Sequence, residues 1–146
     1  MRARELATEC PTVTMGTPVL DAIVRVADDG LPGIVVVDDA GHPMRVLPGA
    51  LVLQLAVPPY CLEDPILARV ADDTPAAIAD ALSGRSVGQC LGQTSPRLIA
   101  VTSDATALEI ASLMASTASE LVAVVDGGVL KGAVSMQAVI RDLVPA

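Results

Sequence analysis

The sequence contains no tryptophan and no phenylalanine, and only one tyrosine among its 146 residues. Aromatic side chains are the surfaces on which unpaired nucleic-acid bases stack, and this chain has almost none. Its formal net charge of −8 also repels a phosphate backbone. We therefore expect no nucleic-acid partner, and a core built from Val, Leu, Ile and Ala.

Long apolar runs are missing as well. Residues 46–59 form the longest apolar stretch, but Pro48, Gly49 and Gln54 interrupt it. The stretch is also shorter than the roughly 20 residues that a membrane-spanning helix needs. Residues 1–9 contain arginines but no apolar segment typical of a signal peptide. We expect a cytoplasmic protein that does not insert into a membrane.

Motifs for catalysis or metal binding are not found. The chain has no phosphate-binding Walker loop, no G-x-S-x-G and no paired His/Glu spacing. Its one histidine, His42, lies between Gly41 and Pro43 at a predicted hairpin tip. The three cysteines are far apart and form no CxxC pair: Cys10, Cys61 and Cys90. We expect reduced thiols, no metal site and no enzymatic activity.

The chain does contain an internal duplication. Leu31–Asp39 (LPGIVVVDD) and Glu120–Gly127 (ELVAVVDG) each place a β-branched run before an Asp/Gly turn, which is typical of a buried strand that enters a hairpin. Asp38 and Asp126 are 88 residues apart, and this offset continues back to Val13. The second hairpin is one residue shorter, so the offset falls to 87 after it. Two copies of one structural unit are predicted.

Each copy predicts the order β-α-β-β-α after a leading helical turn. We divide the chain into a first repeat (1–57), a connector (58–85) and a second repeat (86–146). For the first repeat we predict a helical turn at 2–9, strands at 13–14, 34–37 and 44–47, and helices that begin at Thr17-Pro18 and at residue 50. For the second we predict helices at 87–91 and 136–143, a helix capped by Thr106 and Glu109, and strands at 98–102, 121–125 and 129–134.

Residues 50–57 predict a helix that is apolar nearly all round, with Gln54 as its one polar side chain. Such a helix must be covered on more than one side. The connector or a second subunit can supply this cover, and we therefore expect a homodimer.

The connector predicts two short helices, at 66–70 and from Thr74-Pro75 to Leu82. It also contains Tyr60 and several carboxylates. These carboxylates show no regular spacing of the kind that a divalent-metal loop requires. We interpret the connector as solvated, with carboxylates that cap its helices.

The repeat resembles the CBS domain, and the tandem pair resembles a Bateman module. The resemblance is carried by TALEIASLM at residues 106–114, by the two Val-Val-Asp strand ends and by Gly132–Ser135. It implies an α+β fold in which two βαββα units pack sheet to sheet about a pseudo-twofold axis. It further implies a cleft between the repeats, which in this family often holds adenine nucleotides, and pairing of two modules into a flat dimer.

Nucleotide-binding members of this family end the third strand in Gly-x-x-Ser/Thr-x-x-Asp. The second repeat keeps Gly132 and Ser135 but has Ala138 at the aspartate position, and the first repeat keeps none of the three. A lost ribose hydrogen bond costs about 1–3 kcal/mol. Ser135 would be either a phosphate contact or the N-cap of the last helix. The resemblance implies these ligand-binding residues: Thr102, Leu121, Val122, Ala123, Ala133 and Ser135. Candidate cations for an anionic ligand are Arg45, Arg97 and Lys131.

Two functions remain open from the sequence. The chain would be a stand-alone CBS-pair regulatory module that acts in trans on a partner protein and senses AMP, ADP, ATP, S-adenosylmethionine or a similar small ligand in the cleft. Alternatively, it would be a ligand-independent homodimeric interaction module with degenerate nucleotide sites. A homodimer is expected in both cases.

Overall fold

The computed structural model of the chain describes residues 1–30, 32–57, 61, 63–64, 66–70, 74–91 and 98–145. The helices are α1 (Ala3–Leu6), α2 (Val19–Asp29), α3 (Gly49–Ala56), α4 (Leu67–Val70), α5 (Pro75–Leu82), α6 (Val87–Leu91), α7 (Ala107–Thr117) and α8 (Met136–Leu143). The strands are β1 (Thr12–Val13), β2 (Gly33–Val37), β3 (Pro43–Pro48), β4 (Ala100–Val101), β5 (Leu121–Asp126) and β6 (Val129–Ser135). None of these helices is long and apolar enough to span a bilayer.

The two repeats form two three-stranded sheets with the same topology. The strand order is β1-β2-β3 in one sheet and β4-β5-β6 in the other. In each sheet the first strand is parallel to the second, and Val13 pairs with Val36 as Val101 pairs with Val124. The second and third strands are antiparallel, and their register shifts directly after Val36 in one sheet and after Val124 in the other. The duplication is therefore confirmed at the level of single residue pairs.

Alternate residues of the strands face opposite sides of each sheet, because side chains on a strand have a period of two. One side of each sheet contributes to a shared core between the sheets, which contains Val35, Val37, Val46, Leu121, Ala123 and Ala133. The other sides pack under helices in two separate cores. Ile34 and Val36 belong to the first of these helix-side cores, and Val122 and Val124 to the second. The predicted α+β fold with two sheets packed face to face is confirmed.

The leading helix α1 packs on the second repeat. Ala3 is fully buried and Leu6 is 8% exposed, and both lie in the helix-side core of the second repeat. The backbone N–H of Ala3 donates to the carbonyl of Ala105 at 2.8 Å, and that of Arg4 donates to the carbonyl of Ser103 at 3.1 Å.

Helix α6, which leads the second repeat, packs in the same way on the first. Val87 is fully buried in the helix-side core of the first repeat. Its N–H donates to the carbonyl of Thr17 at 2.9 Å, and the N–H of Gly88 donates to the carbonyl of Met15 at 2.8 Å. Thr17 and Met15 lie 88 residues before the two acceptors that hold α1. The leading helix of each repeat therefore packs on the other repeat.

Several predicted boundaries are wrong, and strand β1 covers Thr12–Val13 instead of the predicted 13–14. Helix α2 begins at Val19 with Pro18 at its N-cap, and the hydroxyl oxygen of Thr17 accepts from the N–H of Thr14 at 3.0 Å instead of capping the helix. The leading helix ends at Leu6, because the backbone is extended from Ala7 and Thr8 pairs with Ala133 of β6. Strand β4 covers only Ala100–Val101.

The predicted apolar helix exists as α3, with Val52 and Leu55 buried. Leu53 is 67% exposed, so one face of α3 has no cover within the described part of this chain.

The two connector helices are confirmed as α4 and α5. The hydroxyl oxygen of Thr74 caps α5 by accepting from the N–H of Ala77 at 3.3 Å, and a carboxylate oxygen of Asp64 accepts from the N–H of Ile66 at 3.0 Å. Leu82 at the end of α5 is 4% exposed and lies in the core of the first repeat, so α5 is not a purely solvated segment. Tyr60 and the acidic residues 72–73 lie outside the described residues.

Candidate functional site

A cleft of about 740 Å³ opens between the two repeats, and we call it the inter-repeat cleft. Three pieces of chain line it: the extended residues that precede β1, one side of α2, and the first half of β6. The lining residues are Thr8, Glu9, Cys10, Pro11, Arg25, Asp29, Leu130, Lys131 and Gly132.

Residues 8–11 form a wall of the cleft because their backbone runs from one sheet to the other. At one end, Thr8 and Ala133 of β6 form two backbone hydrogen bonds with each other, each 3.0 Å long. At the other end, the carbonyl of Pro11 accepts from the N–H of Val35 at 3.2 Å. Gly132 permits this approach, since a Cβ at its position would lie 2.7 Å from the carbonyl oxygen of Thr8.

The cleft carries charges of both signs. Arg25 and Lys131 contribute cations, and Glu9 and Asp29 contribute carboxylates. The Arg25 guanidinium donates to the carbonyl of Thr12 at 2.8 Å, which fixes its position on this wall. The cleft can thus oppose an anion with two positive groups, but it has no excess positive charge for a long polyphosphate.

The lining of the cleft includes the thiol of Cys10. Burial raises the pKa of the Cys10 thiol above its ordinary value, because the thiolate loses hydration there. The thiol is therefore protonated at neutral pH and is a weak nucleophile.

The six ligand-binding residues suggested by the family resemblance are not gathered around the inter-repeat cleft. Five are distributed between the cores and the surface: Leu121, Ala123 and Ala133 lie in the core between the sheets, Val122 lies in the core under α7, and Thr102 is exposed. The sixth, Ser135, lines a separate cleft of about 330 Å³ together with Gly30, Pro32, Glu120, Met136 and Gln137.

Ser135 is the N-cap of α8. Its hydroxyl oxygen accepts from the N–H of Ala138 at 3.2 Å, while the N–H of Met136 donates to the carbonyl of Glu120 at 2.9 Å. The N-cap alternative for Ser135 is confirmed.

The three candidate cations have different surroundings. Lys131 lines the inter-repeat cleft. The Nη1 atom of Arg45 is buried and has no hydrogen-bond partner in the part of the chain that the structure describes. Arg97 lies outside the described residues.

The two Val-Val-Asp carboxylates stabilise loops. Asp126 accepts from the N–H of Ser103 at 3.0 Å and from its hydroxyl group, and these bonds lower the pKa of Asp126. Asp38 accepts from the N–H groups of His42 at 2.8 Å and Ala40 at 3.0 Å, and these bonds lower the pKa of Asp38.

The predicted hairpin tip is confirmed for His42, whose Nδ1 lies 3.5 Å from a carboxylate oxygen of Asp38. Within the described ranges, no three His, Cys, Asp or Glu side chains are grouped so that they could hold a metal ion.

An apolar groove of about 450 Å³ separates α7 from α8. Its lining includes Met114, Val139, Ile140 and Leu143. Ile140 is 49% exposed and Leu143 is 47% exposed, so apolar side chains of the groove face solvent in the single chain.

Comparison with known proteins agrees with this architecture. The profile of the CBS domain matches residues 87–145. A CBS domain-containing protein of unknown function from Kribbella flavida is 36% identical in sequence over 99% of both chains, and the two structures superimpose with a TM-score of 0.80. The chain is a CBS-domain protein.

More distant CBS structures share the fold. CBSX2 in complex with AMP is 21% identical, with a TM-score of 0.67 over 97% of this chain and 94% of the other. Hypoxic Response Protein I with two coordinated zinc ions is 14% identical, with a TM-score of 0.63 over 99% of this chain and all of the other. None of the curated protein sequences compared with the chain matches it. The chain is thus a tandem CBS pair. The profile match covers nearly all of the second repeat, and the first repeat is identified by the same strand order and register.

Residues 8–11, Arg25 and Asp29 are the part of the inter-repeat cleft that sequence reasoning missed. Arg25 and Asp29 are four residues apart on the amphipathic helix α2, which places them on one face. The four-residue spacing of Arg25 and Asp29 was the sequence signal that could have identified them as neighbours. The crossing path of residues 8–11 has no signal in the local sequence, because it depends on where α1 packs.

Proposed function

We propose that this CBS pair is a non-enzymatic regulatory module that acts in trans, and that its ligand is an adenine nucleotide or a similar small anion bound in the inter-repeat cleft. The observation that carries the proposal is the placement of Arg25 and Lys131 in one cleft that both repeats line. The AMP complex of CBSX2, which has the same fold, supports the class of ligand.

The size and the charge of the cleft favour a small ligand with few phosphates. Its volume of about 740 Å³ is within the range of about 300–1,000 Å³ that is common for small-molecule sites. The two cations and the two carboxylates that line the cleft carry no net charge together, and the chain has a net charge of −8, so each additional phosphate of a ligand adds repulsion. We infer the affinity order AMP, then ADP, then ATP.

Regulation follows from the position of the cleft. A ligand that contacts both repeats favours the arrangement in which both walls are close, and disfavours arrangements in which they separate. Such a difference can be recognised by a partner protein.

Isothermal titration with AMP, ADP, ATP and S-adenosylmethionine tests the proposal. Removal of a charged hydrogen-bond donor costs about 1.5–3 kcal/mol, so we expect Arg25→Gln and Lys131→Gln each to weaken AMP binding by roughly 10- to 100-fold. Arg69→Gln, on the exposed connector helix α4, is the matched control and should leave the affinity unchanged. Absence of binding of all four compounds to folded protein would contradict the proposal.

The second candidate function is a homodimeric interaction module that needs no ligand. The apolar groove between α7 and α8 and the exposed Leu53 on α3 favour it, because solvent-facing apolar surface of this kind marks interaction sites. Ala138, in place of the family carboxylate, also weakens ribose binding. A homodimer is proposed for both functions.

Sedimentation velocity at micromolar concentration tests the dimer. We expect a dimer for the natural chain and a monomer for Ile140→Lys, which places a charge in the groove. Lys131→Gln, outside the groove, should remain dimeric. A monomeric natural chain would rule out the dimer in either function.

A further inference from the structure

We propose that residues 1–9 form a strap whose docking on the second repeat completes one wall of the inter-repeat cleft, so that release of the strap removes this wall and regulates what binds there. The docking and release of the strap are inferred from the structure of the strap alone. The regulation of ligand affinity rests on the proposed function as well.

The strap buries few side chains, and many of its polar contacts with the second repeat lie at the surface. The carbonyl of Met1 accepts from the N–H of Ala107, the Arg2 guanidinium donates to the carbonyl of Asp104, and Arg4 pairs with the Asp104 carboxylate. Its helix α1 is only four residues long, and a helix of this length is not stable by itself in water. It is therefore formed only where it is docked, through the buried side chains of Ala3 and Leu6 and through the backbone bonds of Ala3 and Arg4 to the second repeat. Segments with so few buried groups open at a lower free energy than the core of a domain.

The end of the strap is also a wall of the cleft. Thr8 and Glu9 line the cleft, and Thr8 is held to Ala133 by two backbone hydrogen bonds of 3.0 Å. Pro11 stays attached to β2 through its bond to Val35 when the strap leaves. Release therefore turns the strap about residues 10–11 and removes one side of the cleft, while both sheets remain intact.

Gly132 is the residue that makes this docking sterically acceptable. A Cβ at this position would lie 2.7 Å from the carbonyl oxygen of Thr8 and 3.4 Å from the Cβ of Ala7, and its φ of +153° is unfavourable for other residues. The equivalent residue of the first repeat is Arg45 in β3, which pairs with Val36 of β2. A glycine is thus present where the strap crosses β6.

Docking of the strap and binding in the cleft are linked because Thr8 and Glu9 belong to both. A ligand that contacts this wall binds more tightly when the strap is docked, and by thermodynamic reciprocity it stabilises the docked strap by the same factor.

The rate of Cys10 alkylation by iodoacetamide tests the strap. Cys10 lines the cleft directly after the strap, and mass spectrometry of peptides gives its rate beside that of Cys90, which lies on α6 at the first repeat. Overpacking at Gly132→Ala should release the strap and raise the rate at Cys10 roughly tenfold, with no change at Cys90. Gly41→Ala is the control, because Gly41 also has a positive φ of +85° but no neighbour within 4 Å of the added Cβ.

A second variant keeps the test valid if Gly132→Ala does not fold. Leu6→Ala removes the larger of the two buried side chains of α1 and should give the same selective increase at Cys10. Faster amide exchange at Ala3 and Arg4, without change at Val87 and Gly88, should accompany it. Equal rate increases at Cys10 and Cys90, or no increase at either, would overturn the strap.

AMP is the probe for the regulation. In the natural chain, AMP should slow alkylation of Cys10 and amide exchange of Ala3 and Arg4, by a factor that grows with occupancy. If AMP binds by titration but leaves these amides unchanged, the regulatory role of the strap is wrong while the proposed function stands. If AMP does not bind, the proposed function fails, and the selective effect of Gly132→Ala on Cys10 still decides whether the strap gates the cleft.

Discussion

Strand β2 of the first repeat begins at Gly33, and strand β5 of the second begins at the equivalent Leu121. The Leu121 side chain is fully buried between the sheets and occupies space over Gly33, where an added Cβ would collide with the carbonyl oxygen of Leu47 and lie 3.1 Å from Leu121 Cδ2. The two repeats thus share one backbone plan but fill the space between them asymmetrically. Duplicated units that pack against each other need complementary side chains, not identical ones.

The same contrast holds at the ends of β3 and β6. Ser135 caps α8 with its hydroxyl group, whereas the equivalent Pro48 at the start of α3 makes no side-chain cap. Gly132 receives the strap, whereas the equivalent Arg45 cannot offer the same space. The second repeat has therefore kept more of the family motif and also supplies the β6 wall of the inter-repeat cleft.

The largest effect should come from the side chain that fills the space between the sheets. Leu121→Ala should lower the free energy of unfolding by about 2–5 kcal/mol, because the cavity opens in a core that both repeats share. Urea unfolding should still show one transition. Leu108→Ala, at a side chain that is 70% exposed, is the control and should change the stability by no more than about 0.5 kcal/mol. Two separate transitions would mean that the repeats fold independently.

The reverse change at the equivalent position should also destabilise the protein. Gly33→Ala should cost about 1–3 kcal/mol, since the added methyl group meets backbone and the Leu121 side chain. Gly16→Ala is the matched control, because the nearest atom to its Cβ would be 3.9 Å away. Thermal unfolding measures both, and equal values for the two variants would refute the asymmetric packing.

A smaller effect is expected from the cap that only the second repeat has. Ser135→Ala should cost about 1 kcal/mol, because the N–H of Ala138 loses its acceptor. Gln137→Ala, at an exposed side chain in the same cleft, should have little effect on stability. AMP affinity should be unchanged in both variants, and a large loss of affinity in Ser135→Ala would place the ligand at Ser135 instead.

The smallest effect concerns pH. Because the hydrogen bonds from Ser103 lower the pKa of Asp126 in the folded chain, its contribution to stability is complete above the ordinary value of 3.8 and is lost as the pH falls through the lower folded value. Asp126→Asn should therefore be less sensitive than the natural chain to acidification from pH 5 to pH 3. Asp38→Asn should behave in the same direction, and chemical unfolding at several pH values measures both. Identical acid sensitivity of the natural chain and Asp126→Asn would contradict the assignment.

Elements with strong local signals could be predicted closely from the sequence. The capping box of Thr106 and Glu109 begins α7 as expected, and α8 covers Met136–Leu143, the range that was predicted. The offset of 88 residues also fixed the equivalence of β2 and β5. In each case the information lies in a few neighbouring residues or in their repetition.

The inter-repeat cleft depends on contacts between residues far apart in sequence, and most of it could not be predicted. The position of α1 on the second repeat is decided by the burial of Ala3 and Leu6 against a core about 100 residues away, and no local pattern encodes that choice. Lys131 was identified as a candidate cation, but Arg25 was not, because its neighbour across the cleft is known only from the packing. Of the residues implied by the family resemblance, four lie in the cores, Ser135 lies at a helix cap and Thr102 is exposed.

The central claim is that a small anion binds where the end of the strap, α2 and β6 meet. Titration of isotopically labelled protein with AMP, followed by amide chemical shifts, tests it most directly. We expect shifts concentrated at Thr8–Cys10, Arg25, Asp29 and Leu130–Gly132, and saturation at a single affinity. Shifts concentrated at Glu120 and Ser135–Gln137, or no shifts up to millimolar AMP, would contradict the account.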